Sequence, residues 1–285
     1  MAEEREGVRE QPQVMTIEGR RHRVDTPYLL PQDEQEIHRL DFQHYALRTA
    51  LGGDYKAPID KESIRTILDV GCGTGLWVRE RAREFPQAQV TGVDIELHMP
   101  TLQQSSTIHF QQANILDGLP FPNGAFDFVH QRLLVGAIPA AKWYHVLQEL
   151  LRVTRSGGWI EVVESGMVYP NAGPATKQFQ DWWLAGEKAL GFNLALMPHL
   201  DQMLKNVGAR LVQMETLPLP LGKWGGRAGE MLAKDIHAVF TSFRAVYVSR
   251  LGVPAALFEK TLAALPKEWE RHQTSYEFYL VYAQK

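Results

Sequence analysis

The sequence has 285 residues, of which 45% are hydrophobic and 22% charged, as is typical of a globular protein with a sizeable core. A net charge of −3 argues against a nucleic-acid binder, and the single cysteine, Cys72, excludes an intrachain disulfide. The first residues, MAEEREGVREQPQ, do not resemble a signal peptide, and no apolar run of about 18 residues predicts a membrane span. We therefore expect a cytoplasmic protein with neither a nucleic-acid nor a membrane partner.

The N-terminal part of the chain divides into two segments. Residues 1–25 are charged and poor in large apolar side chains, so we expect a flexible arm. An exchanged arm is one route to a homo-oligomer, which we keep as an expectation. Residues 26–60 predict a helical segment that begins near Pro31 and ends at Gly52 and Gly53.

Residues 61–285 alternate between strand and helix patterns. Five strands with intervening helices favour a parallel sheet with helices on both faces, which is an α/β, Rossmann-like fold. Two later strands extend the sheet to seven, and helical patterns at about 170–200 and 225–272 predict cap insertions. The predicted strands are TILDV, QVTGVDI, IHFQQANI, FDFVHQR, GGWIEVVES, ARLVQMETLPL and SYEFYLVYAQK, and the helix AAKWYHVLQELLRVTR is expected to end at Gly157 and Gly158.

A glycine cluster follows the first of these strands. In DVGCGTG, residues 69–75, glycine stands at 71, 73 and 75 and opens a helix. Glycine leaves room for a ligand and tolerates positive φ, and a helix start offers unpaired N–H groups. Asp94 ends the second strand, where an acid accepts hydrogen bonds from both hydroxyls of a ribose. The pattern therefore predicts a nucleoside cofactor.

The spacing of the glycines distinguishes two cofactors. Dinucleotide enzymes carry G-x-G-x-x-G, whereas position 76 here is leucine. G-x-G-x-G with an acid two residues before it resembles motif I of class I methyltransferases, which use S-adenosyl-L-methionine. The resemblance implies that cofactor and that family's seven-stranded sheet. The contacts it implies are Asp69, Gly71, Cys72, Gly73, Gly75, Asp94 and Ile95.

The next motifs agree with this resemblance. QQANILDGLPFPNGAFDFVHQR resembles the segment that follows motif I in the superfamily. It implies that Asn114 faces the adenine, with Ile115 against the ring. The end of FDFVHQR would meet the methionine part of the cofactor, with Gln131 facing it or serving a structural role.

The segment YLLPQDEQEIHRLDFQH resembles the start of a narrower group of methyltransferases. That group includes LaeA-type regulators of secondary metabolism and bacterial relatives that are similar to trans-aconitate methyltransferase. The resemblance implies that Tyr28, Gln43 and His44 lie near the cofactor. An aromatic face at Tyr28 would attract the sulfonium charge.

Candidate acid–base residues follow from the sheet. Methyl transfer mainly requires alignment, and a base is needed only for acceptors that lose a proton of high pKa. His130 and Glu164 lie near strand ends that face ligands in such sheets, and His44 is a third candidate. Strand alternation places His130 and Gln131 on opposite faces. Cys72 lacks a partner for nucleophilic chemistry, and no ligand spacing predicts a metal.

The acceptor site is expected in the cap. As a set, its frequent aromatic and methionine side chains suggest an apolar cavity, although for any single residue a plain helical core is the favoured interpretation. We therefore expect methyl transfer to a small lipophilic metabolite at O, N or C in specialised metabolism. A cofactor-binding regulatory protein is the alternative, and an NAD(P)-dependent oxidoreductase conflicts with Leu76. The cap residues are Trp182, Trp183, Phe192, Met197, Trp224, Met231, Phe240, Phe243 and Tyr247, with Arg210, Arg227 and Arg244 available for a carboxylate acceptor.

Overall fold

The computed structural model describes residues 12–97 and 105–285 of the chain. These residues form a two-stranded hairpin, a seven-stranded sheet and seven α-helices. The strands are β1 Val14–Ile17, β2 Arg20–Arg23, β3 Thr66–Val70, β4 Gln89–Asp94, β5 Ile108–Gln112, β6 Phe126–Arg132, β7 Thr154–Ser165, β8 Arg210–Pro220 and β9 Ser275–Gln284. The helices are α1 Glu34–Leu51, α2 Leu76–Glu84, α3 Trp143–Val153, α4 Pro174–Leu190, α5 Leu200–Asn206, α6 Gly226–Ser242 and α7 Ala255–His272.

The large sheet has the order β5-β4-β3-β6-β7-β9-β8. Strands β3 to β7 are parallel, and β9 runs antiparallel between β7 and β8. The prediction of a seven-stranded Rossmann-like α/β sheet is confirmed. Strand order reverses between β3 and β6, and ligands of such sheets bind at the carboxyl ends of the strands on either side of such a switch.

Helix α3 shows why the apolar pattern fixes the layers. Its buried side chains recur at helical spacing and pack on one face of the sheet. It ends at Val153, so the prediction that it reaches the glycines at 157 and 158 was wrong. The chain enters β7 at Thr154, and a Cβ at Gly158 would lie 2.8 Å from the Asp127 carbonyl oxygen. Glycine here serves close strand packing instead of a helix end.

Part of the segment expected to be a flexible arm has regular secondary structure. Residues 14–23 form the β1–β2 hairpin, and residues 1–11 of the expected arm lie outside the described part. Arg20 Nη2 donates to Asp33 Oδ1 at 2.8 Å, and Arg21 Nη1 lies 2.9 Å from Glu96 Oε1. The hairpin is therefore attached both to the start of α1 and to the chain that follows β4.

The cap consists of α4, α6 and α7 with a single π-helical turn, Ala245–Arg250. Their aromatic side chains form one buried cluster, in which the rings of Phe179 and Phe240 stack at 4.6 Å. Helix α1 packs on α6 and joins the cap to the sheet. Within residues 12–97 and 105–285, no helix is long and apolar enough to cross a membrane.

Candidate functional site

A cavity of about 150 Å³ lies at the carboxyl ends of the central strands. The segment before α1 and one face of α1 form its opposite wall. The cavity is therefore lined both by residues that the sequence predicted as cofactor contacts and by residues that it did not. The predicted contacts that line it are Tyr28, Gly71, Gly73, Asp94, Ile95, Asn114 and Ile115.

The glycines of the loop are required by the backbone and by packing. Gly71, Gly73 and Gly75 have φ of +73°, +52° and +70°, a region that disfavours side chains. A Cβ at Gly71 would lie 2.5 Å from Leu134 Cδ2. The first glycine therefore makes room for Leu134, where the sequence suggested room for a ligand.

Asp94 lies in the cavity wall at the end of β4. Its Oδ2 accepts the Gly73 N–H at 2.8 Å and its Oδ1 accepts the Glu96 N–H at 3.1 Å. These bonds orient the carboxylate and tie the glycine loop to β4. A hydrogen bond to ribose remains a prediction for this side chain.

Two polar atoms in the cavity wall lack a protein partner among the described residues. They are Gln32 Oε1 and Thr26 Oγ1, and Gln32 is only 8% exposed. Buried acceptors of this kind are normally satisfied. Hydroxyl and ammonium donors of a nucleoside amino acid would satisfy them, so the residues present fit S-adenosylmethionine. Neither residue stands out in sequence, because each lies in an irregular stretch.

Asn114 is placed as expected but orients differently. Its Oδ1 accepts the Leu116 N–H at 3.1 Å, and its Nδ2 donates to Asp117 Oδ2 at 3.0 Å. The amide therefore caps its own turn, and adenine contacts from it would involve its backbone. Ile115 keeps the expected apolar place in the wall.

A second cavity of about 110 Å³ lies between α1, α6 and β9. Its wall is mostly aliphatic and aromatic, and from the predicted set it includes Trp183, Phe240 and Phe243. The other six residues of that set do not line it and have the core or surface positions that a plain helical cap would give them. Phe192, Met197 and Tyr247 are buried in cores, Trp182 and Met231 are half-buried, and Trp224 is 38% exposed.

The two cavities share one stretch of wall. Tyr28, Leu40, Gln43 and Leu133 line both of them, and we call this stretch the junction. Leu40 and Gln43 occupy one face of α1 together with Glu36, at spacings of four and three residues. The sequence signal for this wall is the placement of Glu36 and Gln43 on the helix face that also carries Leu40.

Seven predicted site residues lie outside both cavities: Glu164, His44 and five others. Asp69 and His130 pair through Oδ1 and Nδ1 at 2.8 Å, and His130 stacks on Trp77 at 4.2 Å. Because His130 is 1% exposed and lies beneath the glycine loop, its position gives no support to direct acid–base chemistry. The other three are Cys72, which packs against Gly92, Gly75, which caps α2, and Gln131, which is fully buried.

Glu164 is fully buried and anchors a loop instead of facing a substrate. Its Oε1 accepts the Leu134 N–H at 2.9 Å, and its Oε2 accepts the Val135 N–H at 3.0 Å. Burial raises the pKa of Glu164, and these two donors oppose that shift. Residues 133–137 supply wall to both cavities, so the predicted base holds the wall in place.

His44, the third candidate, is locked between α1, α2 and β6. Arg132 Nη2 lies 3.1 Å from His44 Nδ1, and Glu80 Oε2 lies 2.8 Å from Nε2. A guanidinium only donates, so Nδ1 accepts and Nε2–H donates to Glu80. His44, Asp54 and Glu80 have metal-ligand spacing, but the proton on Nε2 and the donation by Arg81 to Asp54 oppose a metal.

Acid is expected to destabilise the fold through His44. Burial and Arg132 lower its pKa below the usual value of about 6.5. The unfolded chain therefore binds a proton that the folded chain does not, and stability falls as pH drops below about 6.5. The melting temperature should decline less between about pH 7.5 and pH 5.5 in His44→Gln, since glutamine preserves both hydrogen bonds. His38→Gln, at an exposed histidine, should decline like the unaltered chain; equal slopes in all three would contradict the assignment.

Comparison with known proteins adds to this geometry. A methyltransferase domain model matches residues 67–158. Methyltransferase str3 of Strobilurus tenacellus is 39% identical over 140 residues, which is 49% of each chain, so this match spans about half of that relative. N-methyltransferase verN of Clonostachys rogersoniana is 28% identical over 270 residues, covering 90% of this chain and 92% of verN. The secondary metabolism regulator laeA of Coprinopsis cinerea is 34% identical over 144 residues, covering 48% of this chain and 35% of laeA.

Solved structures show the same fold. Phosphoethanolamine N-methyltransferase 2 of Haemonchus contortus, in complex with S-adenosyl-L-methionine, superposes with a TM-score of 0.53 at 16% identity. The superposition covers 87% of this chain and 52% of that chain. The sheet and its flanking helices therefore match those of a cofactor-bound enzyme.

Proposed function

We propose that the chain is a class I S-adenosylmethionine-dependent methyltransferase that methylates a small, mostly apolar metabolite. The observation that carries this proposal is the junction. The cavity beside the glycine loop and Asp94 shares Tyr28, Gln43 and two leucines with a cavity walled by aromatic groups. A cofactor in the first and an acceptor in the second would meet there, as in-line transfer requires.

The chemistry of the second cavity supports an apolar acceptor. Its hydroxyls are largely engaged with one another, for example Tyr276 Oη with Ser165 Oγ at 2.7 Å. The arginines considered for a carboxylate acceptor do not line it, and Arg244 pairs with Glu18 and Glu259 instead. An apolar substrate suits such walls, because the polar groups of the wall already have partners.

The nature of the acceptor atom is a finer proposal. The relative verN, which aligns along most of the chain, is an N-methyltransferase. This likeness favours nitrogen as the acceptor atom and specialised metabolism as the setting. The second candidate is a cofactor-binding regulator of secondary metabolism, which the laeA match favours. A regulator would bind S-adenosylmethionine without turning over any member of a metabolite panel.

Filling the second cavity should separate the two binding events. Val239 lines only this cavity, so Val239→Trp is expected to abolish methyl transfer to compounds that the unaltered chain accepts. Its affinity for S-adenosylmethionine, measured by calorimetry, should remain within about twofold, since Val239 does not line the cofactor cavity and substitutions away from a site change it little. Val168→Trp, at a residue that is 37% exposed and outside both cavities, is the control. Full activity in Val239→Trp would contradict this location of the acceptor.

A further inference from the structure

A buried ionic triad joins α1 to α6 beside the junction. Arg39 donates from Nη2 to Glu36 Oε1 at 2.6 Å and from Nε to Oε2 at 2.9 Å. It also donates from Nη1 to Asp235 Oδ1 at 2.9 Å. Glu36 is 2% exposed, Arg39 8% and Asp235 1%, so the triad is almost completely removed from water.

The triad has two carboxylates and one guanidinium. Gln43 Nε2 donates to Asp235 Oδ2 at 3.0 Å, so each oxygen of Asp235 has a donor. The pKa of Asp235 is raised, chiefly by burial and also by the Glu36 carboxylate, although the contacts with Arg39 and Gln43 oppose this shift. Among the described residues, no second lysine or arginine lies within 4.0 Å of either carboxylate, and Arg20 is engaged with Asp33. Within this part of the chain, two buried carboxylates therefore share one guanidinium, and ionisation of both is costly unless a further cation balances the second negative charge.

The position of this charge relates it to ligands. Glu36 lines the cofactor cavity, Arg39 lines the second cavity, and Gln43 lines both. A separate feature also indicates a missing ligand, because Gln32 lines the same cavity as Glu36 and its buried Oε1 has no donor among the described residues. Both features would be satisfied by a positively charged ligand that carries N–H groups.

We propose that the triad of Glu36, Arg39 and Asp235 makes the junction a cation site that selects a neutral amine nitrogen as methyl acceptor. The proposal rests on the proposed function. In the transfer, the nitrogen lone pair forms the N–CH₃ bond, the S–CH₃ bond breaks, and its electron pair stays on sulfur. The positive charge moves from sulfur to nitrogen, and any proton on the nitrogen leaves to water afterwards.

The charge balance distinguishes acceptor classes. With an amine, one positive charge occupies the junction before and after transfer, and the triad stabilises it throughout. With a phenolate or carboxylate, the triad would repel the acceptor, and the cation would disappear on transfer. The same charge favours cationic S-adenosylmethionine over neutral S-adenosylhomocysteine, which assists release of the product.

The first experiment tests whether the triad favours the positively charged form of the cofactor. The dissociation constants of S-adenosylmethionine and S-adenosylhomocysteine are compared by calorimetry in the unaltered chain, Asp235→Asn and Glu36→Gln. The preference for S-adenosylmethionine should fall by roughly tenfold in each variant, since charges a few ångströms apart interact by this much or more. Asp127→Asn is the matched control, because this buried aspartate loses the same charge at the amino end of β6, whereas the cavities lie at the carboxyl ends of the strands.

The second experiment measures the acceptor side without a known substrate. Phenyltrimethylammonium and its neutral isostere tert-butylbenzene are titrated into the S-adenosylhomocysteine complex, with tryptophan fluorescence as the signal. The unaltered chain should bind the cation roughly tenfold more tightly, and Asp235→Asn should lose this preference. Because the comparison within the unaltered chain needs no variant, a poorly folding Asp235→Asn does not prevent the test.

Each outcome is decisive. The proposal is supported if the triad variants, but not the control, lose both the preference for S-adenosylmethionine over S-adenosylhomocysteine and the preference for the ammonium probe. If only the cofactor preference changes, the site serves the sulfonium, and the amine acceptor is overturned. A change confined to the ammonium probe keeps the amine site and removes the effect on product release. Unchanged preferences in a chain that binds the cofactor, or no preference for the ammonium probe, overturn the cation site alone. Absence of cofactor binding by the unaltered chain overturns the proposed function as well.

Discussion

Replacing Asp94 by alanine is expected to weaken S-adenosylmethionine binding by roughly a hundredfold or more. The reason is that two hydrogen bonds from ribose hydroxyls to a carboxylate would be lost, at about 1.5–3 kcal/mol each. The variant also releases the Gly73 and Glu96 N–H groups, so the glycine loop loses its tie to β4. Calorimetry with S-adenosylmethionine measures the combined loss.

Asp117→Ala is the matched control for this prediction. Asp117 is exposed, lies beside the same cavity and contributes the same charge, but among residues 12–97 and 105–285 its carboxylate bonds to the Asn114 amide alone. Its removal should change the dissociation constant by no more than about threefold, as expected of a screened surface charge. Equal affinities for the Asp94→Ala variant and the unaltered chain would remove the ribose assignment.

The second large effect is expected at Glu164. In Glu164→Gln, either orientation of the amide places an NH₂ group against the N–H of Leu134 or of Val135. The clash leaves a buried donor unsatisfied, which should cost about 2 kcal/mol or more of unfolding free energy. Because the anchored loop lines both cavities, cofactor affinity and turnover should fall together.

Glu268→Gln separates loss of stability from loss of the site. Glu268 is also a buried carboxylate that accepts two backbone N–H groups, from Ala175 and Thr176, but it caps α4 away from both cavities. It should lower the melting temperature to a similar degree and leave the dissociation constant of S-adenosylhomocysteine nearly unchanged. Equal affinities in the two variants would show that the loop anchor has no part in binding.

The sheet and the cofactor wall could be predicted because their signals are local. Alternating strands and helices, positive-φ glycines and an acid at the end of β4 each follow from short stretches of sequence. Gly71 shows the limit of such reasoning. Its neighbour Leu134 is more than sixty residues away in sequence, so the packing reason for that glycine could not be read from the loop itself.

The acid–base candidates show why residue type does not determine role. His130 and Glu164 lie on β6 and β7 as expected, but their side chains satisfy Asp69 and the 133–137 loop. Which group a buried polar side chain meets depends on long-range packing, and the sequence does not encode it in any short pattern. His44 is an example of the same effect, since its tautomer is set by Arg132 from another element.

The apolar character of the second cavity was predicted from the sequence, but most of the residues that line it were not. Trp183, Phe240 and Phe243 line this cavity. Tyr247 and Phe192 are also aromatic, but they are buried in the core. Aromatic side chains at helical spacing serve either purpose, so periodicity alone cannot separate them. Gln43 on the junction face of α1 was implied by the family resemblance, whereas Glu36 and Arg39 were missed, because Asp235, which completes the triad, lies almost two hundred residues further along the chain.

The most direct test of the account is a mass measurement of methyl transfer. The purified chain is incubated with S-adenosylmethionine and a panel of apolar metabolites rich in amines, with the Asp94→Ala variant as control. The account predicts one product heavier by a single CH₂ unit, formed in equal amount to S-adenosylhomocysteine and absent with the variant. Tight cofactor binding with no methylated product from any amine, phenol, acid or alkene of the panel would contradict it and favour the regulator.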